Sequence, residues 1–128
     1  MKTSYSKIAA ILAVVIGGMA IAAGGQVLLG KVMDYYVIDW VPVYNFAAGV
    51  ISVFITALLI WKNHAWAIPA AIATLLAHSL VMVILQTVYR DVVAVDSIVA
   101  MTLRITVWLV IVILLIVQRR KTEAVVAG

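Results

Sequence analysis

Two ionisable side chains lie inside long apolar segments of the sequence, and they are the first candidates for chemistry. Arg104 lies seven residues into the last apolar segment, roughly 10 Å along a helix that rises 1.5 Å per residue. His78 lies near the middle of the third segment. A charge at that depth in lipid is costly unless it is paired or solvated, so Arg104 marks a functional site by default. The alternative is snorkelling, in which the side chain reaches the nearer headgroups.

Further polar residues recur at helical spacing around these two. Arg104 is suited to hold an anionic or zwitterionic group, and neutral side chains would supply hydrogen bonds. The alternative is that serine and threonine bond back to their own helix and that the histidine bonds a neighbouring helix. We predict a ligand-binding site in one half of the bilayer, formed by Arg104, His78, Gln86, Asn45, Gln26 and Tyr44.

Several kinds of chemistry find no support in the sequence. The absence of cysteine excludes disulfides, thiolate metal sites and cysteine nucleophiles. His64 and His78 would lie about 21 Å apart along a helix, too far to clasp one haem within one subunit. The aspartates lack the spacing of a calcium loop, and we find no catalytic triad or phosphate-binding loop. We therefore expect no metal and no cofactor, and we do not expect an enzyme.

The composition identifies the solvent of this chain as lipid. Hydrophobic residues make up 67% of the 128 and charged residues 11%, whereas a soluble domain carries about 25% charged residues. The apolar segments are too long for barrel strands and do not alternate in polarity, so they predict helices. The fold class is an all-α integral membrane protein, an up-down bundle of four transmembrane helices in a single domain (1–128). The predicted helices run over about 8–30, 42–61, 66–89 and 97–118.

Local signals mark the predicted helix starts. Asp39 is a candidate N-cap for the second helix, and Asp96 or Ser97 for the fourth. Pro42 and Pro69 suit the first turn of a helix, where a missing N–H is harmless.

Basic residues predict the orientation. Six of them fall on one side of the predicted bundle (Lys2, Lys7, Lys62, Arg119, Arg120 and Lys121). Lys31 and Arg90 fall on the other side, together with the four aspartates. Because cytoplasmic loops are enriched in Lys and Arg, we expect a multi-pass protein of the cell inner (plasma) membrane with both termini in the cytoplasm. Topology thus explains the net charge of +4, and we expect no nucleic-acid partner.

Two patterns bear on assembly. The segments 34–41 and 91–98 both carry aspartates five residues apart, which would fit two repeated helical hairpins. The alternative is that any two hairpins crossing one bilayer have similar lengths. Small residues line two faces of the first helix, one through Gly17 and Gly24 and one through Gly18 and Gly25. Such faces favour close helix packing and indicate a homo-oligomer or a membrane-protein partner.

Three functions from different classes remain at this point. The leading hypothesis is binding or transport of a small anionic or zwitterionic ligand at a polar site open to the outer side. The second is an accessory or assembly subunit of a larger membrane complex, without activity of its own. The third is a membrane enzyme or haem protein.

Overall fold

The computed structural model describes residues 4–127, which contain four helices long and apolar enough to cross a membrane and no strand. This arrangement confirms the predicted all-α class and indicates a multi-pass membrane protein. The predicted bounds differ from the observed ones by a few residues, except that the last helix continues nine residues beyond the predicted 118. The helices are α1 (Ser4–Leu28), α2 (Val41–Trp61), α3 (Ala67–Thr87) and α4 (Val95–Ala127).

Two helices end in the same way, with one residue in the left-handed region. After α1, Gly30 has φ +105°; its N–H bonds to the carbonyl of Val27, and the N–H of Lys31 bonds to that of Gln26. After α2, Asn63 has φ +53° and a matching pair of bonds closes the helix. Glycine and asparagine are the residues that tolerate this conformation, which explains why both helices stop where they do.

The predicted N-caps are wrong. α2 begins at Val41, and the capping position belongs to Trp40, which makes no side-chain bond to the helix end. Asp39 therefore lies one residue too early to cap. α4 begins at Val95, so Asp96 lies in its first turn, where a carboxylate interacts favourably with the helix dipole.

The helices pack in the cyclic order α1, α2, α3, α4, with α1 closest to α2 and α4. Glycines bring α1 and α2 together: a Cβ on Gly24 would lie 2.7 Å from the backbone nitrogen of Phe46, and one on Gly49 2.6 Å from the carbonyl oxygen of Gly17. Such backbone approach is the role of small residues between membrane helices. The predicted small face through Gly17 and Gly24 thus packs within the chain.

The helix α2 contains a π-helical turn over Ser52–Thr56, which the sequence pattern did not predict. Backbone contact between α2 and α3 begins at this turn and continues towards the chain termini. In the other half, aromatic side chains fill the space between the two helices. We call that half, which holds the connections 29–40 and 88–94, the loop half, and the opposite half the termini half.

Candidate functional site

Arg104 lies inside the bundle. Its Cα is nine residues from the start of α4, about 14 Å along the helix axis, and the residue is only 5% exposed. Its Nη1 donates a hydrogen bond of 2.5 Å to Oδ1 of Asn45 on α2. Because α2 and α4 occupy opposite corners of the bundle, this bond crosses the bundle interior.

Arg104 has no carboxylate partner within residues 4–127. The ion pair found there, with its nitrogen and oxygen within 4.0 Å, joins Arg119 to Glu123 on an exposed face. A buried guanidinium with five N–H donors is thus bonded to one neutral amide oxygen. A buried charge normally requires a counter-charge or solvent, so the geometry leaves room for an anion or for water.

A cavity of about 70 Å³ adjoins Arg104 in the loop half. Asn45 and Arg104 contribute polar atoms to it, and Asp96, Ser97 and Tyr35 line it from the first turn of α4 and from the connection before α2. The remaining wall is apolar and comes from all four helices and the same connection. The cavity therefore combines a buried cation with a carboxylate and two hydroxyl groups.

A second polar pair lies beside Arg104 but does not line the cavity. The hydroxyl of Tyr44 lies 2.6 Å from Nδ1 of His78, and the two rings are nearly perpendicular, with centroids 5.7 Å apart. His78 is only 3% exposed. The hydrogen bond satisfies a histidine nitrogen that would otherwise be costly to bury.

An aromatic series extends from this pair to the end of the bundle. Trp40 packs edge-on against Tyr44 and Tyr89, with ring centroids 6.5 Å and 6.0 Å apart. The indole Nε1 of Trp40 donates to the hydroxyl of Tyr89 at 3.1 Å. Trp40 immediately precedes α2 and Tyr89 follows α3, so these contacts connect the loop ends of the two helices.

Two of the six predicted site residues lie elsewhere. Gln26 is exposed and accepts a hydrogen bond from Nζ of Lys31 at 2.8 Å. Gln86 is also exposed and lines a separate cleft with Arg90 and Val93. The grouping of Gln86 with His78 fails because eight helical residues leave an offset of about 80°, and Leu85 occupies the buried position instead.

The structure brings the other four predicted residues together, as the pairs Arg104–Asn45 and Tyr44–His78. It adds Asp96, Ser97 and Tyr35 to the site. Ser97 shares a helical face with Arg104, a signal already present in the sequence. Asp96 was predicted only as a cap, and nothing in the pattern pointed to Tyr35.

Tyr35 is influenced by the carboxylates around it. Partial burial raises the pKa of its phenol above the ordinary value of 10.0, and the carboxylates of Asp96 and Asp34 raise it further. The cavity lining therefore includes a carboxylate close to Tyr35 as well as the guanidinium of Arg104.

Comparison with known proteins places this chain in no group. No family model, curated protein or solved structure matches it. Within residues 4–127, no group of three or more histidine, aspartate or glutamate side chains is arranged to hold a metal ion.

Proposed function

We propose that this protein binds, and on that basis transports, a small anionic or zwitterionic molecule in the cavity beside Arg104. The observation that carries the proposal is the buried Arg104 guanidinium, which faces a cavity and has Asn45 as its side-chain acceptor. A carboxylate or similar anion would supply the missing counter-charge through a paired hydrogen bond. Ser97, about two helical turns before Arg104 on α4, would supply a hydroxyl group.

The size and charge of the cavity narrow the ligand. Drug-sized molecules occupy about 300–1,000 Å³, and a cavity of about 70 Å³ holds only a few heavy atoms. Asp96 on the same wall disfavours a ligand with two negative charges and favours one that carries an ammonium group beside its carboxylate. A small zwitterion suits the pair of charges better than a dianion.

We propose that the chain lies in the inner (plasma) membrane of the cell with both termini in the cytoplasm. In this orientation the Arg104 cavity lies on the outer side of the membrane. It is supported by the concentration of Lys and Arg in the termini half. In intact cells, Asp39→Cys is expected to react with a membrane-impermeant thiol reagent. Glu123→Cys is expected to react only after permeabilisation, and the reverse pattern would invert the orientation. The chain has no native cysteine, so the introduced cysteine is the one thiol of this protein that can react.

The binding proposal is tested by the thermal unfolding of the purified protein with a panel of small monocarboxylates, zwitterions, dicarboxylates and inorganic anions. A ligand that binds only the folded state raises the midpoint temperature. At least one small monoanion or zwitterion is expected to do so for the wild type and to have no effect on Arg104→Gln. Loss of the shift in Arg120→Gln as well would indicate a general charge effect, and a panel without any shift would overturn the proposal.

A second candidate is an accessory subunit of a membrane complex, as a homo-oligomer or with another protein. The observation that favours it is the second small face of α1, where a Cβ on Gly18 would meet nothing within 4 Å. Native purification separates the candidates: a stoichiometric second polypeptide supports the subunit, and a ligand-responsive protein that purifies without one supports binding or transport.

A further inference from the structure

A second, larger cavity lies at the opposite end of the molecule. It is an open groove of about 490 Å³ between the start of α1, the α2–α3 turn and the last turns of α4. We call it the termini-side groove. The lining residues that matter for its chemistry are Asn63, His64, Ile68, Gln118, Arg119 and Glu123.

Two features of the fold build this groove. The left-handed conformation of Asn63 turns the chain sharply after α2, and α4 continues past Gln118 to form a wall opposite the turn. Gln118 is 5% exposed and accepts the backbone N–H of Tyr5 at 3.1 Å, which ties α1 to α4. The groove is therefore held on three sides by defined contacts.

The groove is apolar in one part and charged at one end, an arrangement that suits an amphiphilic molecule. Its apolar part is formed by the partly exposed Ile68, with the buried side chains of Ile60 and Leu115 behind it. Arg119 lies one helical turn beyond Leu115, towards the end of α4. An acyl chain can therefore pack in the apolar part of the groove, and a charged headgroup can bind at the end of the groove near Arg119.

His64 has one ring nitrogen available as a hydrogen-bond donor at that end. Its Nδ1 accepts the backbone N–H of Trp66 at 3.1 Å. In a neutral imidazole whose Nδ1 is an acceptor, the proton is on Nε2. His64 and Asn63 both line the groove, so the imidazole N–H and the Asn63 amide are donors available to an acceptor bound there.

The charge at this end also favours an anion. Neighbouring basic side chains have other partners: Nζ of Lys7 lies 3.7 Å from the ring centroid of Trp61, and Nζ of Lys121 lies 3.3 Å from the Tyr5 hydroxyl oxygen. Arg119 is the basic residue that lines the groove. Its pairing with Glu123 at 3.4 Å joins two largely exposed side chains, and such pairs contribute little, so an anion can displace it.

We propose that the termini-side groove binds an anionic phospholipid. The phosphate contacts Arg119 and His64, and one acyl chain packs against the partly exposed side chain of Ile68. Clusters of basic residues beside membrane helices attract anionic headgroups, and this groove adds an apolar path for the chain. The site is separate from the Arg104 cavity and does not depend on the function proposed for it.

The test uses native mass spectrometry of the full chain released from nanodiscs of phosphatidylglycerol and phosphatidylcholine with identical acyl chains. The wild type is expected to retain one phosphatidylglycerol in preference to phosphatidylcholine. Arg119→Gln is expected to lower the retained fraction about fivefold, the effect of one basic residue near a lipid surface. Arg120→Gln is the matched control, because it removes the same charge one residue away from a side chain that does not line the groove.

Two further measurements test whether Glu123 competes with the lipid for Arg119 and whether the groove prefers a lipid to free phosphate. Glu123→Gln is expected to increase phosphatidylglycerol retention, because it releases Arg119. Inorganic phosphate at millimolar concentration is expected not to displace the lipid, because it lacks the chain. Equal losses in Arg119→Gln and Arg120→Gln, or equal retention of both lipids by the wild type, would overturn the proposal.

Discussion

Nη1 of Arg104 lies 2.5 Å from Oδ1 of Asn45, a residue 59 positions earlier in the chain and on the opposite helix of the bundle. This bond connects two helices whose backbones do not pack against each other. It fixes the guanidinium beside the cavity and leaves its charge without a protein carboxylate.

Asn45→Ala is expected to destabilise the protein by about 1.5–3 kcal/mol, the usual contribution of a hydrogen bond to a charged group. Asn45→Asp is expected to keep or increase stability, because it supplies a counter-charge, and to abolish the binding of small anions, because that carboxylate competes with the ligand. Unfolding free energies in detergent and ligand-induced midpoint shifts measure the two effects. A stable Asn45→Asp protein that still binds the same anions would contradict the assigned role of Arg104.

The close approach of α1 and α2 predicts a contrast between two glycines of the same helix. In Gly24→Ala the new methyl group would overlap the backbone of Pro42 and Phe46, so a loss of about 1–3 kcal/mol is expected. Gly18→Ala places its methyl in open space and is expected to be neutral or stabilising by up to about 1 kcal/mol, because alanine is the better helix former. Equal effects of both substitutions on the unfolding free energy would refute the described α1–α2 interface.

The Tyr44–His78 hydrogen bond is suited to a double-mutant cycle with Tyr44→Phe and His78→Leu. Hydrogen bonds between membrane helices contribute about 0.6 kcal/mol on average and up to about 1.7, and a coupling energy in the upper part of that range is expected because the bond is short and buried. The matched control is Tyr44→Phe with Thr102→Val, since the Thr102 hydroxyl bonds within its own helix. A coupling no larger than the control's would mean that the two side chains do not interact.

The helices were predictable because each is a long apolar segment bounded by polar residues, a pattern imposed by the bilayer. The inward position of Arg104 followed from the same cost argument. Asn45, Tyr44 and His78 were predicted for the same site, but which of them bonds to Arg104 did not follow from the sequence, because it depends on helix rotation. In α3, an offset of one residue places Leu85 at the buried position and leaves Gln86 exposed. The roles of Asp96 and Tyr35 depend on the path of the connection 29–40, for which the sequence carries no periodic signal.

The phenol of Tyr35 is expected to titrate above 10.0, and Asp96→Asn is expected to lower its pKa, because one of the two carboxylates that raise it is removed. A pKa raised by folding means that the stabilising contribution is complete below pH 10.0 and is lost as the pH rises through the folded value. Phenolate absorbance of the wild type, compared with Tyr35→Phe as the control that isolates this residue, measures the titration. An unchanged midpoint in Asp96→Asn would place Asp96 away from Tyr35.

A cysteine at Ser97, which lines the cavity, reports whether Arg104 presents its positive charge to water-accessible space there. The measurement is the ratio of the reaction rates of Ser97→Cys with an anionic and a cationic thiosulfonate of equal size. Ser97 lies seven residues before Arg104 on α4, roughly 10 Å along the helix axis. A unit charge at about 10 Å contributes about 1.7 kcal/mol at an effective dielectric constant near 20, so adding Arg104→Gln is predicted to lower this ratio by at least about tenfold. Adding Arg120→Gln instead is predicted to leave it unchanged. A ratio that does not change when Arg104 is replaced would show that Arg104 does not present its charge to the cavity. A cysteine that neither reagent reaches would show that the cavity is closed to water.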